Sequence, residues 1–374
     1  MNRKIISMAL LALMLASTLA THAVLTARAG ETLPERGWVQ LKEVLGGGVG
    51  KVVIATDARR TLYCAAGGIW KSTDGGLNWV SAHGNLSTRM VSEIAVDPFR
   101  PNTLFLATNQ GLFKTTDGGL TWILSRVDAP PVYPVNVIVI DPMVPDTVYV
   151  GTGNGIYKST NGGATWVVKN SGLAITGWAG GLLTIVGLAI DPVDTSRLYA
   201  STYRSYFHVS TNAGESWTAV QSLWGGPIVV SKSDPSVVYT TNDAYWGPTF
   251  KGHPIIKSTD KGASWFGVTP PIGPYDGVSH AAINPANVNV VYAGTGYGVY
   301  KSTDGAASWV PVLLLAGVSH INSITIDSTN PSNLYVATFA QGVYKSTDAG
   351  ASWVQASTGV ANMNLPDIDV NNAD

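Results

Sequence analysis

The sequence predicts an all-β chain built from seven repeats, on three observations. Tryptophan recurs at Trp79, Trp122, Trp166, Trp217, Trp265, Trp309 and Trp353, each closing a segment of the form [Ser/Thr]-Thr-[Asp/Asn]-x-x-x-x-Trp. The gaps between these tryptophans are 43, 44, 51, 48, 44 and 44 residues. Between the segments lie short apolar runs separated by Gly, Pro, Asp and Asn. A period near 44 made of short strands and turns is the signature of β-propeller blades. The predicted fold is therefore a seven-bladed β-propeller of four-stranded antiparallel blades.

The first 29 residues read as a secretory signal. Arg3 and Lys4 form a basic start, Ile5 to Leu19 is almost wholly apolar, and Ala27-Arg28-Ala29 offers a small-x-small cleavage site. That run is short for a membrane span and no second candidate follows, so an exported chain, secreted or periplasmic, is expected over residues 30–374. The second repeat shows one blade most plainly. Val91–Val96 reads as a first strand closed by Asp97-Pro98, Thr103–Thr108 as a second, Gly111–Thr115 as a third and Thr121–Leu124 as a fourth. The repeats occupy roughly residues 50–357. Gly37–Leu41, similar to a fourth strand, and Asp367–Val370, similar to a first strand, remain at the ends, and one of them is expected to zip the ring.

The turn between strands three and four carries the repeat's polar chemistry. In Thr115-Thr116-Asp117-Gly118-Gly119-Leu120-Thr121-Trp122, the aspartate accepts backbone N–H groups and glycine supplies positive φ. The equivalent residues are Asp74, Asp117, Asn161, Asn212, Asp260, Asp304 and Asp348; Asn keeps the turn chemistry. Burying ~200 Å² per indole at ~25 cal/mol/Å² is worth ~5 kcal/mol per blade before entropy, enough to explain the tryptophan without a ligand. Ser-x-Asp-x-Gly-x-x-Trp resembles the Asp-box, or BNR, repeat. It is shared by sialidases, xyloglucanase-type glycoside hydrolases, sortilin-type receptor propellers and photosystem assembly factors. The resemblance implies the propeller fold; the box is structural in all these families, so it implies no activity.

Several functions are disfavoured. Without Arg3, Lys4 and Arg28, the 23 basic residues fall to 20 against 24 acidic ones, and a net charge near −4 gives no footprint for nucleic acid. Six of the thirteen lysines (Lys71, Lys114, Lys158, Lys257, Lys301, Lys345) share one repeat position and so form no patch. Cys64 is the single cysteine, in a buried strand pattern, so no internal disulfide is possible. No Cys/His cluster or phosphate loop occurs, and neither a metal nor another cofactor is expected. His208 stands where other blades have Tyr157 or Tyr300 and reads as packed; His280 and His320 both follow Val-Ser and read as one structural pattern. Phe99-Arg100-Pro101 resembles a sialidase motif but occupies a repeat turn. Glycoside hydrolysis needs two carboxyl groups at a defined separation. Glu93, Asp243 and Asp276 are the weak catalytic candidates for one opening of the ring.

Function is sought where the repeat breaks. The two long gaps map to insertions at Asn170–Gly181 and Thr241–His253, on connections expected to emerge opposite the Asp-box turns. Trp178 and Trp246 lie in them, Trp224 lies in the connection between blades four and five, and Tyr203, Arg204, Tyr206, Tyr245 and Tyr275 join them. Aromatic groups gathered on loops suit a binding surface. The leading expectation is a monomeric ligand-binding or interaction module for a glycan or an extended peptide or protein. An exo-acting glycoside hydrolase and an assembly factor are the alternatives.

Overall fold

Seven first strands ring a central axis: Lys51–Ile54, Val91–Val96, Val135–Ile140, Ile185–Ile190, Gly225–Val230, Val278–Ile283 and Ile321–Ile326. They belong to a computed structural model that describes residues 50–357 apart from 56, 58–60, 87–90, 128–133, 175–182, 243–251, 274–276, 316–319 and 340. Each first strand opens a sheet of four strands that follow one another in the chain and pair antiparallel, giving seven blades. In blade two, Val91–Val96 pairs with Leu104–Thr108, that strand with Gly111–Thr115, and the last with Ile123–Ser125. No helix among the described residues is long and apolar enough to cross a membrane.

The second strand is buried along its whole length in every blade, as in Leu104–Thr108 and Val148–Thr152. Both its faces meet neighbouring blades, which is why these strands read as unbroken apolar runs rather than alternating ones. The core is consequently divided into seven clusters, one per seam. Between blades three and four, for example, Tyr149 and Ile156 meet Ile185, Leu188, Leu198, Ala200 and Trp217.

The closing seam is built like the others. Val52, Leu62, Cys64 and Trp79 of blade one pack on Tyr335, Ala337 and Val343 of blade seven. Val52 N donates to Ser323 Oγ at 3.2 Å, and Trp79 Nε1 donates to Ala356 O at 2.9 Å. All four strands of every blade lie in sequence order within residues 51–355, so among the described residues no strand is exchanged between the ends. The fragments 37–41 and 367–370 lie outside the described residues.

Candidate functional site

The recurring turn residues spend their polar groups on their own turns. Asp117 accepts Thr121 N at 2.9 Å and the hydroxyls of Thr115 and Thr121 at 2.6 and 2.5 Å. Asp74, Asp260, Asp304 and Asp348 accept the same set, a backbone N–H four residues on and two flanking side chains. Asn161 and Asn212 keep the geometry by reversing one bond: Asn161 Nδ2 donates to Thr165 Oγ1 at 2.8 Å, where Asp117 accepts from Thr121. The residues after them have positive φ, from Gly75 at 72° to Ala349 at 57°.

The repeated lysine and tryptophan join blade to blade. Lys114, Lys158, Lys257, Lys301 and Lys345 each donate to a turn carbonyl of the next blade at 2.6–3.0 Å. Each of these ammonium groups also lies 5.3–5.6 Å from the ring centre of a second-strand Phe or Tyr of its own blade. In the other direction, Trp122, Trp217 and Trp309 donate Nε1 to the end of the preceding blade's fourth strand at 2.8–3.0 Å. One position departs: Val209 stands where the other six blades have lysine.

Antiparallel order places the turns between strands two and three, and the connections from blade to blade, on one face of the ring, opposite the repeated turns. On that face Arg204, at φ 50°, holds its guanidinium 5.2 Å from the Tyr203 ring centre and 5.3 Å from that of Trp224. Tyr203 is 47% exposed, Trp224 is half-buried, and Trp224 directly precedes the first strand of blade five. Tyr206 lies edge-on to His208, whose Nε2 accepts Ala174 N at 3.0 Å. The structure thus brings Tyr203, Arg204, Tyr206 and Trp224 into one sector. Trp178, Tyr245, Trp246 and Tyr275, with Asp243 and Asp276, lie outside the described residues.

The same face opens into a central channel. Its mouth encloses about 270 Å³ and is lined from all seven blades, with Lys51, Glu93, Asn136, Gly187, Pro227, His280 and Asn322 among the lining residues. It shares Lys51, Glu93 and His280 with a further channel segment of about 770 Å³. Both volumes are of the order of small-molecule sites, ~300–1,000 Å³. A register shift near the start of six first strands shapes the mouth. In five blades Ser92, Asn136, Val186, Ser279 or Asn322 is the residue skipped, and such bulges re-aim the side chain that follows. The residues that follow are Glu93, Val137, Gly187, His280 and Ser323, and Lys51 opposes Ala65 as Glu93 opposes Ala107. Gly187 is required here, because a Cβ would come within 2.2 Å of Gly226 O and 2.4 Å of Ser201 Oγ.

Glu93 lines the channel, where it is ion-paired with Lys51, and among the described residues it faces no second acid. The other carboxylates lining this channel among the described residues, Asp57 and Asp327, hold the turns at its far end. His280 faces the channel half-buried; burial, and then the nearby Lys51 charge, push its pKa down to about 3, so the ring is neutral at pH 7. The shared Val-Ser-His string does not mark one structural position, a correction to the sequence reading. His280 follows the bulge, whereas His320 precedes Ile321 and packs on Phe339 with ring centres 4.8 Å apart. His208 is fully buried, as its repeat position implied. Lys51 was not singled out from sequence and His280 was read only as structural, because only the bulge register equates them with Glu93.

No protein-family description matches the chain, and no curated protein matches it. Solved structures do. A GH74 enzyme from Niastella koreensis aligns over 85% of this chain and 55% of its own, at 22% identity and TM-score 0.69. The GH74 xyloglucanase of Xanthomonas campestris aligns over 86% and 56%, at 20% identity and TM-score 0.70. The chain thus spans about half the length of these enzymes. YCF48 bound to D1 peptide aligns over 84% of this chain and 96% of its own, at 16% identity and TM-score 0.61. At such identities the likeness concerns architecture, and it agrees with the strand topology: the chain is a seven-bladed β-propeller.

Proposed function

We propose that the chain is an exported ligand-binding or interaction module that takes a glycan or an extended peptide on the face bearing Tyr203, Arg204 and Trp224. The observation that carries this reading is the Arg204 guanidinium lying against both the exposed Tyr203 ring and the half-buried Trp224 ring. Broad, rigid rings lose little entropy on binding and offer stacking surface to a sugar or to peptide side chains. A ring of this architecture suits either class: the similar solved structures include YCF48 with D1 peptide and a xyloglucanase. Trp178 and Trp246 belong to the same proposal from their sequence position alone.

A hydrolase reading requires a second carboxyl group opposite Glu93. The pairing of Glu93 with Lys51 favours binding over that chemistry. The purified full chain screened against glycan and peptide arrays tests the proposal. Trp224→Ala and Tyr203→Ala are expected to weaken the captured ligand by about 1–3 kcal/mol each at unchanged melting temperature. Unaltered affinity in both variants overturns it. Replacing Glu93, Asp243 or Asp276 singly with alanine is expected to leave any glycosidase activity unaltered; a drop beyond ~100-fold at unchanged stability promotes the hydrolase.

A further inference from the structure

We infer that the channel mouth is a second binding site, for a neutral hydroxyl-rich ligand such as a sugar ring, formed by Lys51, Glu93 and His280. None of these residues belongs to the aromatic sector, and the inference shares with the proposed function only the face on which both lie.

The charge balance of the mouth selects the ligand class. Lys51 and Glu93, from neighbouring blades, neutralise each other, with side chains 28% and 14% exposed. His280 adds a neutral imidazole at ordinary pH. A carboxylate or phosphate entering here meets Glu93, and an ammonium group meets Lys51. Either must compete with an ion pair already formed in a partly desolvated site. A hydroxyl group needs no such exchange, since it both donates and accepts.

The mouth also retains unspent hydrogen-bonding capacity. Lys51 gives one donor to Glu93 Oε1 and keeps two. Glu93 Oε2 and both ring nitrogens of His280 have no hydrogen-bond partner among the described residues. Neutral imidazole supplies one donor and one acceptor. Around them Val137, Ile138, Leu188, Pro227 and Ile228 form apolar walls. A few convergent polar groups on an apolar wall is the composition of small-molecule sites, and it fits the C–H faces and hydroxyl rim of a sugar.

The surrounding backbone is fixed, so the site is preorganised. Asn136 Nδ2 donates to Ile185 O at 2.9 Å, Ser279 Oγ donates to Ile321 O, and Ser323 Oγ accepts Val52 N at 3.2 Å. These bonds tie the bulges of three blades to the next blade. They hold the layer of Lys51, Glu93 and His280 without using those side chains.

Ligand-observed saturation-transfer NMR on the full chain tests the inference, with glucose, galactose, mannose, xylose, glucuronate and glucosamine as probes. At least one neutral sugar is expected to show transfer and to shift the His280 ring signals in the unmodified protein, assigned with His280→Asn. Its affinity is expected to fall about tenfold or more in His280→Ala and in Glu93→Gln, the loss of one or two polar contacts, and to be unchanged in Phe99→Ser on the opposite face. The wild-type ring signals keep the test informative if a variant misfolds. The inference is overturned if no neutral sugar binds, if only glucuronate or glucosamine binds, or if binding leaves the His280 signals unmoved. Transfer abolished by Trp224→Ala with His280 unmoved overturns this site and leaves the aromatic-face reading standing. A His280 shift in a protein that captures nothing on the arrays does the reverse.

Discussion

Asp304 accepts three hydrogen bonds, and the Ser308 hydroxyl, the Ser308 N–H and the Ser302 hydroxyl together lower its pKa to about 2. A carboxyl held lower in the folded state than in the unfolded chain contributes stability above its ordinary value near 4, lost as pH falls toward 2. Asn161 makes the equivalent turn without a titrating group. Asp304→Asn is therefore expected to flatten the pH dependence of the denaturation midpoint between about pH 4 and 2 while leaving the neutral-pH midpoint nearly unchanged. Chemical denaturation at stepped pH checks this; a large loss at pH 7 contradicts it. Asp117→Ala is expected to lower the melting temperature while ligand binding by the folded fraction persists. Two histidines act in a higher window. Burial lowers His208 to about 4 and His280 to about 3, so the unfolded chain binds more protons below its value near 6.5. Their contribution is complete above about pH 6.5 and is lost as pH falls toward 4 and then 3. His280→Asn is expected to reduce the stability slope across that window, read by the same denaturation series.

Between elements, the decisive contact is the lysine of one blade on the turn of the next. Lys301 Nζ donates to Ala349 O at 2.8 Å, and the Tyr292 hydroxyl donates to the same carbonyl at 2.9 Å. The ammonium also lies 5.5 Å from the Tyr292 ring centre. Lys158 with Tyr149, and Lys257 with Tyr239, repeat the arrangement on Ala213 and Gly305. Lys301→Met keeps the apolar stem and removes a charged hydrogen bond and a cation–π contact, so a loss of about 1–3 kcal/mol is expected in urea denaturation. A loss below about 0.5 kcal/mol assigns the seam to apolar packing alone. The lysines were visible in the sequence as a repeat position. That they reach forward to the next blade was not, because a turn 48 residues downstream (Lys301 to Ala349) becomes a neighbour only in the closed ring.

Across the whole molecule the seven seams are not equal. At the seam of blades four and five the lysine is Val209, and Phe207 stacks edge-on with Trp265, ring centres 4.7 Å apart. Lys261 takes the left-handed position at φ 60° that glycine fills in four other turns. The seam thus combines a missing clamp with a strained non-glycine residue. Sub-global opening follows the least stable contacts. Native-state hydrogen exchange in low denaturant is accordingly expected to release the amides around Lys261 and the third strand of blade four, Ser205–Ser210, before their counterparts in other blades. Uniform release around the ring removes this assignment. The aromatic sector lies across these same two blades, so ligand binding there is expected to slow that exchange.

The sequence by itself determined the blade. Strand runs, Asp or Asn at the turn, glycine after it and the buried indole all lie within one repeat, and their chemistry acts over a few residues. It also read His208 as packed, since that residue could be compared with its repeat position, whereas Glu93 was only one of three candidates for an opening. Tertiary structure alone decided the channel mouth. Lys51, Glu93 and His280 are up to 229 residues apart, and bulges offset their strands by one residue, which no local pattern announces. The bulge register likewise separates His280 from His320 despite their shared Val-Ser prefix. The physical reason is range: turn hydrogen bonds are local, whereas a charge-balanced layer exists only once seven strands close around an axis.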